Sequence, residues 1–454
     1  MWYSDGEINQ VPSPEFRFIK YAPPIHSPMD NNEFRLTPEF ACKMDQDDPL
    51  YDFREKFYIP EKNGRPLIYF CGNSLGLQPR SVNAYLTEYL ENWATKGVYG
   101  HFEGEVPWIA ARKPSKSLLA TLVGASELEV VAMNSLSVNL HLLMVSFYRP
   151  QEKKYKILTE AGAFPSDQYI LESQVKYHGL SPDDAILEVK PRPNEHVLRT
   201  EDILEQIRRH KDELALIMLS GVQYYTGQLF DMKAISKEAK HHGICVGFDL
   251  AHAIGNVPLQ LHDWEVDFAT WCSYKYLNSG PGNVSGIFVH QKHSDDGQLP
   301  RFAGWWGYKE EERFKMEKGF KHMPGADGWL LSNDNVLGLA AHQAALELFA
   351  KAGIEKLRKK SMLLTSYLEF AIRETISDTE ALEIITPLEP TERGCQLSLL
   401  IHKKGKCVFD SWIENGVVAD WRNPNVIRLA PTPMYNSFQD VFDFSQILKN
   451  SLSD

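Results

Sequence analysis

The sequence predicts an α/β protein in which helices cover both faces of a mostly parallel sheet, followed by a smaller α+β domain. Short apolar runs alternate with helical stretches between residues 67 and 289. These runs are apolar throughout, which is typical of strands covered on both faces. After about residue 330 the order changes to two long amphipathic helices followed by short strands. The alternation indicates a layered α/β sheet, and the change marks a second unit.

The individual elements follow from these patterns. In the larger unit we predict strands at 67–70, 155–159, 215–219, 244–248, 268–271 and 286–289, and helices at 203–210 and 232–242. Gly243 follows the second helix and is a typical C-terminal stop. In the smaller unit we predict helices at 336–350 and 354–374 and strands at 382–385, 397–401 and 426–429.

The chain divides into three predicted segments. Residues 1–48 contain several prolines among polar residues and predict a divergent, flexible leader. Residues 49–330 form the predicted large α/β domain, whose N-terminal helical part contributes to the small domain. Residues 331–454 form the predicted C-terminal α+β domain.

Composition excludes several classes of protein. The 454 residues carry a net charge of −12 and no compact basic run, which argues against a nucleic-acid binder. No apolar stretch reaches the ~18 residues that a membrane-spanning helix needs. The first residues lack the basic and apolar regions of a signal peptide. Six scattered cysteines without a CxxC pair predict neither a disulfide scaffold nor a cysteine zinc site, so we expect a cytoplasmic protein without a metal.

Two charged side chains stand where predicted strands end. Asp249 closes the strand at 244–248, and Lys275 follows the strand at 268–271. Ligands of open α/β sheets bind outside the carboxyl ends of the strands. An amine and a carboxylate placed there suit pyridoxal 5′-phosphate (PLP), because the lysine can form a Schiff base and the aspartate can pair with the protonated ring nitrogen. The alternative is that Asp249 caps a helix and Lys275 is a solvated loop residue.

Two other segments favour the PLP interpretation. Residues 164–167, Phe-Pro-Ser-Asp, offer an aromatic face for a ring and a second carboxylate. Residues 134–139 supply hydroxyl and backbone N–H groups at a predicted helix start, which suits a phosphate. Neither a GxGxxG nor a GxxxxGK[ST] motif is present, which weakens dinucleotide and nucleoside-triphosphate interpretations.

Several motifs resemble those of class V, fold-type I PLP enzymes: FPSD at 164–167, DLAH at 249–252 and SYKYLN at 273–278. Others resemble the kynureninase family in particular: GNSLGLQP at 72–79, VNLHLLM at 138–144, YTGQ at 225–228, GCQL at 394–397, RNPN at 422–425 and YNSF at 435–438. The resemblance runs from about residue 49 to the C-terminus. It implies a fold-type I, PLP-dependent transferase-like large domain.

The resemblance also implies roles for individual residues. Lys275 would hold the cofactor covalently, Asp249 would pair with its ring nitrogen, and Tyr274 would donate a proton, so these three are the expected catalytic residues. The expected cofactor-binding residues are Leu136, Ser137, Phe164, Pro165, Ser166, Asp167, Ser220, Asp249, His252, Tyr274, Lys275, Trp305 and Asn333. The expected substrate-binding residues are Ser74, His101, Ser332, Asn333 and Arg428. Among them, Arg428 resembles the residue that holds the substrate α-carboxylate, a task that suits a planar guanidinium fork.

The implied reaction is hydrolytic cleavage of the Cβ–Cγ bond of L-kynurenine or 3-hydroxy-L-kynurenine. The products are L-alanine and anthranilate or 3-hydroxyanthranilate, in tryptophan catabolism and NAD biosynthesis. Trp305 and Asn333 would reach the phosphate from a partner subunit, which implies a homodimer with shared active sites. No nucleic-acid or membrane partner is expected.

His101, Ser332 and Asn333 resemble the set that favours the hydroxylated substrate in animal members. Three positions depart from the animal pattern: Ser137 replaces a threonine, Tyr308 a histidine and Leu330 an arginine. Ser137 keeps the hydroxyl, whereas Tyr308 puts the substrate preference in question. The alternatives are a class V aminotransferase, a cysteine desulfurase or selenocysteine lyase, and a non-catalytic relative. A desulfurase needs a nucleophilic cysteine on a mobile loop, whereas Cys395 begins a predicted strand.

Overall fold

A computed structural model describes residues 33–294, 297–376 and 381–453. The first 32 residues of the predicted leader lie outside the described residues. The helices are α1 (Pro38–Gln46), α2 (Val82–Lys96), α3 (Lys113–Val123), α4 (Leu136–Phe147), α5 (Pro165–Tyr177), α6 (Pro182–Ala185), α7 (Thr200–Arg209), α8 (Met232–His241), α9 (Val336–Ala352), α10 (Ile354–Thr375), α11 (Gly405–Glu414) and α12 (Phe438–Ser453).

The strands are β1 (Glu61–Lys62), β2 (Arg65–Pro66), β3 (Ile68–Tyr69), β4 (Val130–Met133), β5 (Lys156–Glu160), β6 (Ile186–Val189), β7 (Leu214–Ser220), β8 (Cys245–Asp249), β9 (Phe268–Trp271), β10 (Ser285–Val289), β11 (Leu382–Ile384), β12 (Leu397–Ile401), β13 (Val417–Val418), β14 (Asp420–Arg422) and β15 (Val426–Leu429). The nine strands predicted from apolar periodicity all form, as β3, β5, β7 to β12 and β15, whereas β1, β2, β4, β6, β13 and β14 were not predicted. The predicted strand at 67–70 forms as β3, but β3 pairs with β13 and does not belong to the large sheet.

The large sheet has seven strands in the order β4-β10-β9-β8-β7-β5-β6. Strand β10 is antiparallel to both of its neighbours, β4 and β9, so the other six strands run in one direction. Apolar side chains from both faces are buried in separate clusters, including Phe248 on one face and Ile287 on the other. The prediction of a mostly parallel sheet covered on both faces is therefore confirmed.

Two glycines in the sheet make room for aromatic rings on the neighbouring strand. The indole of Trp271 on β9 lies directly over Gly286 of β10, and the ring of Phe268 lies over Gly247 of β8. A Cβ atom at either glycine would overlap the ring. Because both rings are fully buried, neither can turn aside into solvent.

The second unit is an antiparallel sheet of order β11-β12-β15-β14 covered by helices α10, α11 and α12. Helix α1 packs against α12. Phe34 and Ala41 are buried in this core, so the described part of the predicted leader, residues 33–48, packs here. Thr37 caps helix α1 through the backbone N–H of Phe40, and Pro38 occupies its first position.

The domain boundary at residue 331 remains a prediction. Helix α9 packs against α2 and α3, and its Leu339 and Leu346 belong to the core of the large unit. The buried residues of the second core begin again at Leu364 of α10. No helix in the described ranges is both long and apolar enough to span a bilayer.

The packing of Trp271 on Gly286 gives a stability prediction. We expect Gly286→Ala to lower the free energy of unfolding by about 1–3 kcal/mol, because the added methyl group overpacks a rigid core. Urea denaturation followed by tryptophan fluorescence measures the change. Gly297→Ala is the control, because a Cβ atom there has no neighbour within 4 Å. Equal stability of the two variants would contradict the packing described here.

Candidate active site

Polar side chains meet at the carboxyl ends of the central strands. Glu160, Ser220 and Asp249 are the last residues of β5, β7 and β8, which are neighbours in the sheet. The segment from Cys272 to Lys275 follows β9 directly. Because these strands are parallel, their carboxyl ends lie at one edge of the sheet, as the spacing of Asp249 and Lys275 predicts.

Two helices begin at the same edge. Helix α4 starts with Leu136 and Ser137, and helix α5 starts at Pro165, preceded by Phe164. The first backbone N–H groups of a helix have no partner within the helix, so they are suited to bind an anion. Asp167 lies in the first turn of α5 and is buried, despite its charge.

These elements enclose a cavity of about 170 Å³. It is lined by Leu136, Ser137, Glu160, Phe164, Ser166, Asp167, Ser220, Val222, Tyr224, Asp249, Ala251, His252, Cys272, Tyr274 and Lys275. Ten of the thirteen residues expected to bind the cofactor are among them. Pro165 lies next to the cavity as the first residue of α5, while Trp305 and Asn333 lie outside its lining.

Lys275 projects into this cavity against His252 and Phe164. Its Nζ lies 3.0 Å from Nε2 of His252 and 5.6 Å from the ring centroid of Phe164. Burial lowers the pKa of His252 well below its usual value, and the charge of Lys275 adds to this effect. The neutral imidazole therefore accepts a hydrogen bond from the lysine. Its Nδ1 is buried and has no partner among the described residues.

Asp249 and Asp167 form a coupled buried pair. Burial and the neighbouring Asp249 carboxylate raise the pKa of Asp167 well above its usual value. Burial also raises the pKa of Asp249, although a hydrogen bond from the Ala251 N–H and the charge of Lys275 oppose the rise. Ionisation of both of two adjacent carboxylates in a buried site carries a large free-energy cost, because like charges repel. Asp167 therefore holds the shared proton, and Asp249 is the anionic partner that faces Lys275.

Glu160 is a residue of the cavity that sequence analysis missed. Its carboxylate accepts hydrogen bonds from the Ser220 hydroxyl at 2.6 Å and from the Ser220 backbone N–H. Burial raises the pKa of Glu160. The available signal was its position, because Glu160 ends a strand in the same way as Asp249. The hydroxyl of Ser220, which was expected at a phosphate, is directed to Glu160 in this structure.

The expected substrate residues lie outside the cavity lining. His101 ends a short 3₁₀ helix and packs edge-on against Trp108 at a centroid distance of 5.2 Å. Ser332 and Asn333 are exposed, as is Trp305, which keeps 43% of its accessible surface. Ser74 lies in the turn after β3 and donates its backbone N–H to the Cys71 carbonyl. The single chain thus does not bring these residues to the cavity.

Arg428 reaches the edge of the site from the second unit. It is buried on β15 and donates from Nη1 to the backbone carbonyl of Tyr224 at 2.7 Å. Tyr224 lines the cavity and packs edge-on against Phe164. Arg428 is therefore one connection between the small-domain sheet and the cavity.

The residues present fit PLP on structural grounds. The cavity places an amine, an anionic carboxylate and an aromatic face together, which are the groups that an aldehyde-bearing, protonated pyridine ring requires. Asp167 Oδ1 and His252 Nδ1 are buried polar atoms without partners among the described residues. Such orphaned atoms are costly unless a ligand or water satisfies them.

Comparisons with known proteins agree with this geometry. Residues 68–400 match the family "Aminotransferase class-V", and residues 357–448 match "Kynureninase C-terminal domain". A kynureninase of Flavobacterium psychrophilum is 54% identical over 92% of this chain and 99% of its own length. The human kynureninase is 47% identical over 91% of this chain and 92% of its own length.

Solved structures share the fold at much lower identity. The apo cysteine desulfurase of Thermococcus onnurineus has a TM-score of 0.72 at 16% identity and covers 88% of this chain and 97% of its own. A C-DES mutant with glycine covalently linked to its PLP cofactor has a TM-score of 0.71 at 15% identity, over 85% and 96% of the two chains. These likenesses confirm the predicted fold type.

The desulfurase alternative lacks its nucleophile at the expected position. Cys395 is buried just before β12, and burial raises the pKa of its thiol to about 12. A thiolate is the reactive form of cysteine, so Cys395 is not suited to attack a substrate. With close relatives that cover nine-tenths of its length, and with a cavity that fits their cofactor, this chain belongs to the kynureninase family of PLP-dependent enzymes.

Proposed function

We propose that this chain cleaves the Cβ–Cγ bond of L-kynurenine and 3-hydroxy-L-kynurenine with water, releasing L-alanine and the corresponding anthranilate. The observation that carries the proposal is the placement of Lys275 and Asp249 in one buried cavity of a kynureninase-family chain. A non-catalytic relative has no reason to keep a buried carboxylate and a half-buried amine in one cavity, because removing charged groups from water is costly. Tryptophan catabolism, NAD biosynthesis and a cytoplasmic location belong to the same proposal.

PLP would supply an electron sink that stabilises negative charge on the substrate carbons next to the amino group. Lys275 would hold the cofactor at its aldehyde carbon, and the anionic Asp249 would keep the ring nitrogen protonated. The N-termini of α4 and α5 would bind the phosphate through Leu136, Ser137 and their neighbours. Phe164 would cover one face of the ring.

Three side chains would then move or hold protons. Lys275, once released, would take the proton from the substrate Cα, and the neutral His252 would orient its amine through the 3.0 Å contact. Tyr274, whose pKa burial raises, is protonated at neutral pH and would donate its phenol proton to the Cβ carbon that cleavage leaves with a negative charge. Each group acts at a position within reach of the same cavity.

A homodimer would complete the site. A single chain exposes Trp93, Tyr99, Phe102 and Trp305, each a large apolar side chain with more than 40% of its surface accessible. Large exposed apolar patches mark protein–protein contacts. Trp305 and Asn333 would enter the partner's cavity, which accounts for their exposure in the isolated chain.

We propose a preference for 3-hydroxy-L-kynurenine, whose 3-hydroxyl group would be recognised by His101, Ser332 and Asn333. Polar groups that are unpaired without the hydroxyl give strong discrimination. Tyr308, the departure from the animal pattern that puts this preference in question, is buried with a hydroxyl that has no partner among the described residues. Leu330, another departure from that pattern, is buried in an apolar cluster of the large unit.

The first prediction concerns activity. Purified, PLP-loaded protein should convert each substrate into equal amounts of L-alanine and its aromatic acid, with the higher kcat/KM for the hydroxylated substrate. Lys275→Ala should abolish turnover, because it removes both the cofactor attachment and the base. Mass spectrometry of the products measures the outcome. A keto acid in place of alanine would indicate an aminotransferase, and PLP binding without either product would reject the substrate.

The second prediction concerns the shared site. Lys275→Ala mixed with the double variant Trp305→Ala/Asn333→Ala should regain about a quarter of wild-type activity, because each mixed dimer contains one intact site. Mixing Lys275→Ala with Asp249→Asn should regain none, since both residues would come from the same subunit. Absence of recovery in the first mixture would reject a site built from two subunits.

The third prediction concerns the buried proton. In cofactor-free protein, we expect Asp167→Asn to increase stability, and the gain to grow as the pH rises above about 4, until the folded carboxyl itself loses its proton. The unfolded carboxyl loses its proton near pH ~3.9, whereas the folded one keeps it, so folding of the wild type becomes less favourable as pH rises. Thermal unfolding across this range measures the gain. Exposed Asp183→Asn is the control, and a pH-independent gain would contradict the raised pKa.

A further inference from the structure

Arg428 is held by a carboxylate on the neighbouring strand. Asp420 of β14 lies directly opposite Arg428 of β15 in the antiparallel register. The carboxylate forms a two-point ion pair, with Nε to Oδ1 at 3.1 Å and Nη2 to Oδ2 at 2.8 Å. The arginine side chain is 1% exposed, so this pair is shielded from solvent. Such a planar fork fixes the orientation of a guanidinium group.

A second arginine shares the same carboxylate. Arg422, on the same strand as Asp420, places Nε 2.8 Å from Oδ1 and donates from Nη2 to Oδ2 at 3.2 Å. Two guanidinium groups and one carboxylate leave one unit of positive charge on the cluster. The Arg422 side chain is 34% exposed and is partly solvated, whereas Arg428 is buried and is the arginine that favours a further anionic partner.

The hydrogen bonds of Arg428 leave two donors for a ligand. A guanidinium group has five N–H donors. Two of those of Arg428 go to Asp420 and one to the Tyr224 carbonyl, so two remain. Tyr224 lines the cavity, and both arginines act electrostatically on His252, which contacts Lys275. The guanidinium group of Arg428 is therefore one backbone contact, through Tyr224, from the cavity where an amino-acid substrate would bind.

We propose that Asp420 is a positioning residue for recognition of the substrate α-carboxylate: it orients Arg428 and shares its charge with Arg422, so that one carboxylate completes the cluster. This inference rests on the proposed function, in which the substrate is an α-amino acid. Asp420 itself does not touch the substrate. Its effect passes through the guanidinium group of Arg428.

An alternative role for Asp420 makes the opposite prediction. If Asp420 only neutralised positive charge, its removal would leave two unpaired arginines and tighten binding of an anion. If Asp420 positions Arg428, an amide in its place presents an N–H group to the guanidinium donors and displaces them. Asp420→Asn therefore distinguishes the two roles: anion binding becomes tighter if Asp420 only neutralises charge and weaker if Asp420 positions Arg428.

The experiment titrates PLP-loaded protein with L-alanine and with L-alaninamide, which has the same shape without the carboxylate charge, and follows the absorbance of the cofactor. For Asp420→Asn we expect Kd for L-alanine to rise about 10–100-fold, as when one partner of a buried charge pair is lost. Kd for L-alaninamide should stay within about twofold of the wild type. With L-kynurenine, KM should rise by more than kcat falls.

Two further variants complete the test. Glu369→Gln breaks another buried carboxylate–arginine pair in the same unit, between Glu369 and Arg393 at 2.9 Å, and should leave both Kd values unchanged. Asp420→Glu keeps the charge but shifts the carboxylate, and should weaken L-alanine selectively but less than Asp420→Asn. If Asp420→Asn does not fold, the change in Kd for L-alanine relative to L-alaninamide in Asp420→Glu tests the proposal by itself.

Tighter or unchanged binding of L-alanine in the Asp420 variants would overturn the proposal. Equal weakening of L-alanine and L-alaninamide would overturn it as well, because a general distortion affects both ligands. The outcome is independent of kynurenine turnover, since L-alanine only exchanges with the Lys275 amine at the cofactor and its carbon–carbon bonds stay intact. Failure of wild-type protein to cleave kynurenine, with selective weakening of L-alanine, would reject the substrate and keep the role of Asp420.

Discussion

The burial of opposite charges at one edge of the sheet is the constraint on which the rest of the site depends. Asp249 is buried and Lys275 half-buried where strands end side by side, and the parallel direction of those strands brings the two groups to one edge. Asp167 keeps a proton so that the site does not hold two adjacent negative charges. His252 stays neutral because burial lowers its pKa, and the positive charge of Lys275 lowers it further.

The second unit contributes a charged side chain to the site that the large sheet forms. The large unit supplies groups suited to a ring and a phosphate, while Arg428 brings a positive charge from a separate core. The connection between the two units runs through backbone carbonyls of the loop after β7: Gln396 donates to Tyr224, and Ser398 donates to Tyr225. Recognition of a substrate's acidic end is thereby tied to the packing of one unit on the other.

Sequence periodicity predicted the central strands because their apolar runs are short and bounded, and strand ends then indicated Asp249 and Lys275. Glu160 escaped notice because its partner, Ser220, is 60 residues away in the chain. The pair of Asp420 and Arg428 depends on strand register, which no local pattern reveals. Helix α1 was missed although Thr37 and Pro38 are good start signals, because the residues that bury Phe34 lie more than 300 positions later.

That long separation has a consequence for synthesis of the chain. The second core contains Phe34, Ala41, Ile68 and Phe70 from the beginning of the described chain together with residues from 364 to 448. On a ribosome the early segment emerges first and must wait for nearly the whole chain before its apolar side chains are covered. The large sheet can form in the meantime, since its strands lie between residues 130 and 289. Biogenesis therefore passes through a stage with exposed apolar surface at the amino-terminal end, a condition in which chains rely on chaperones.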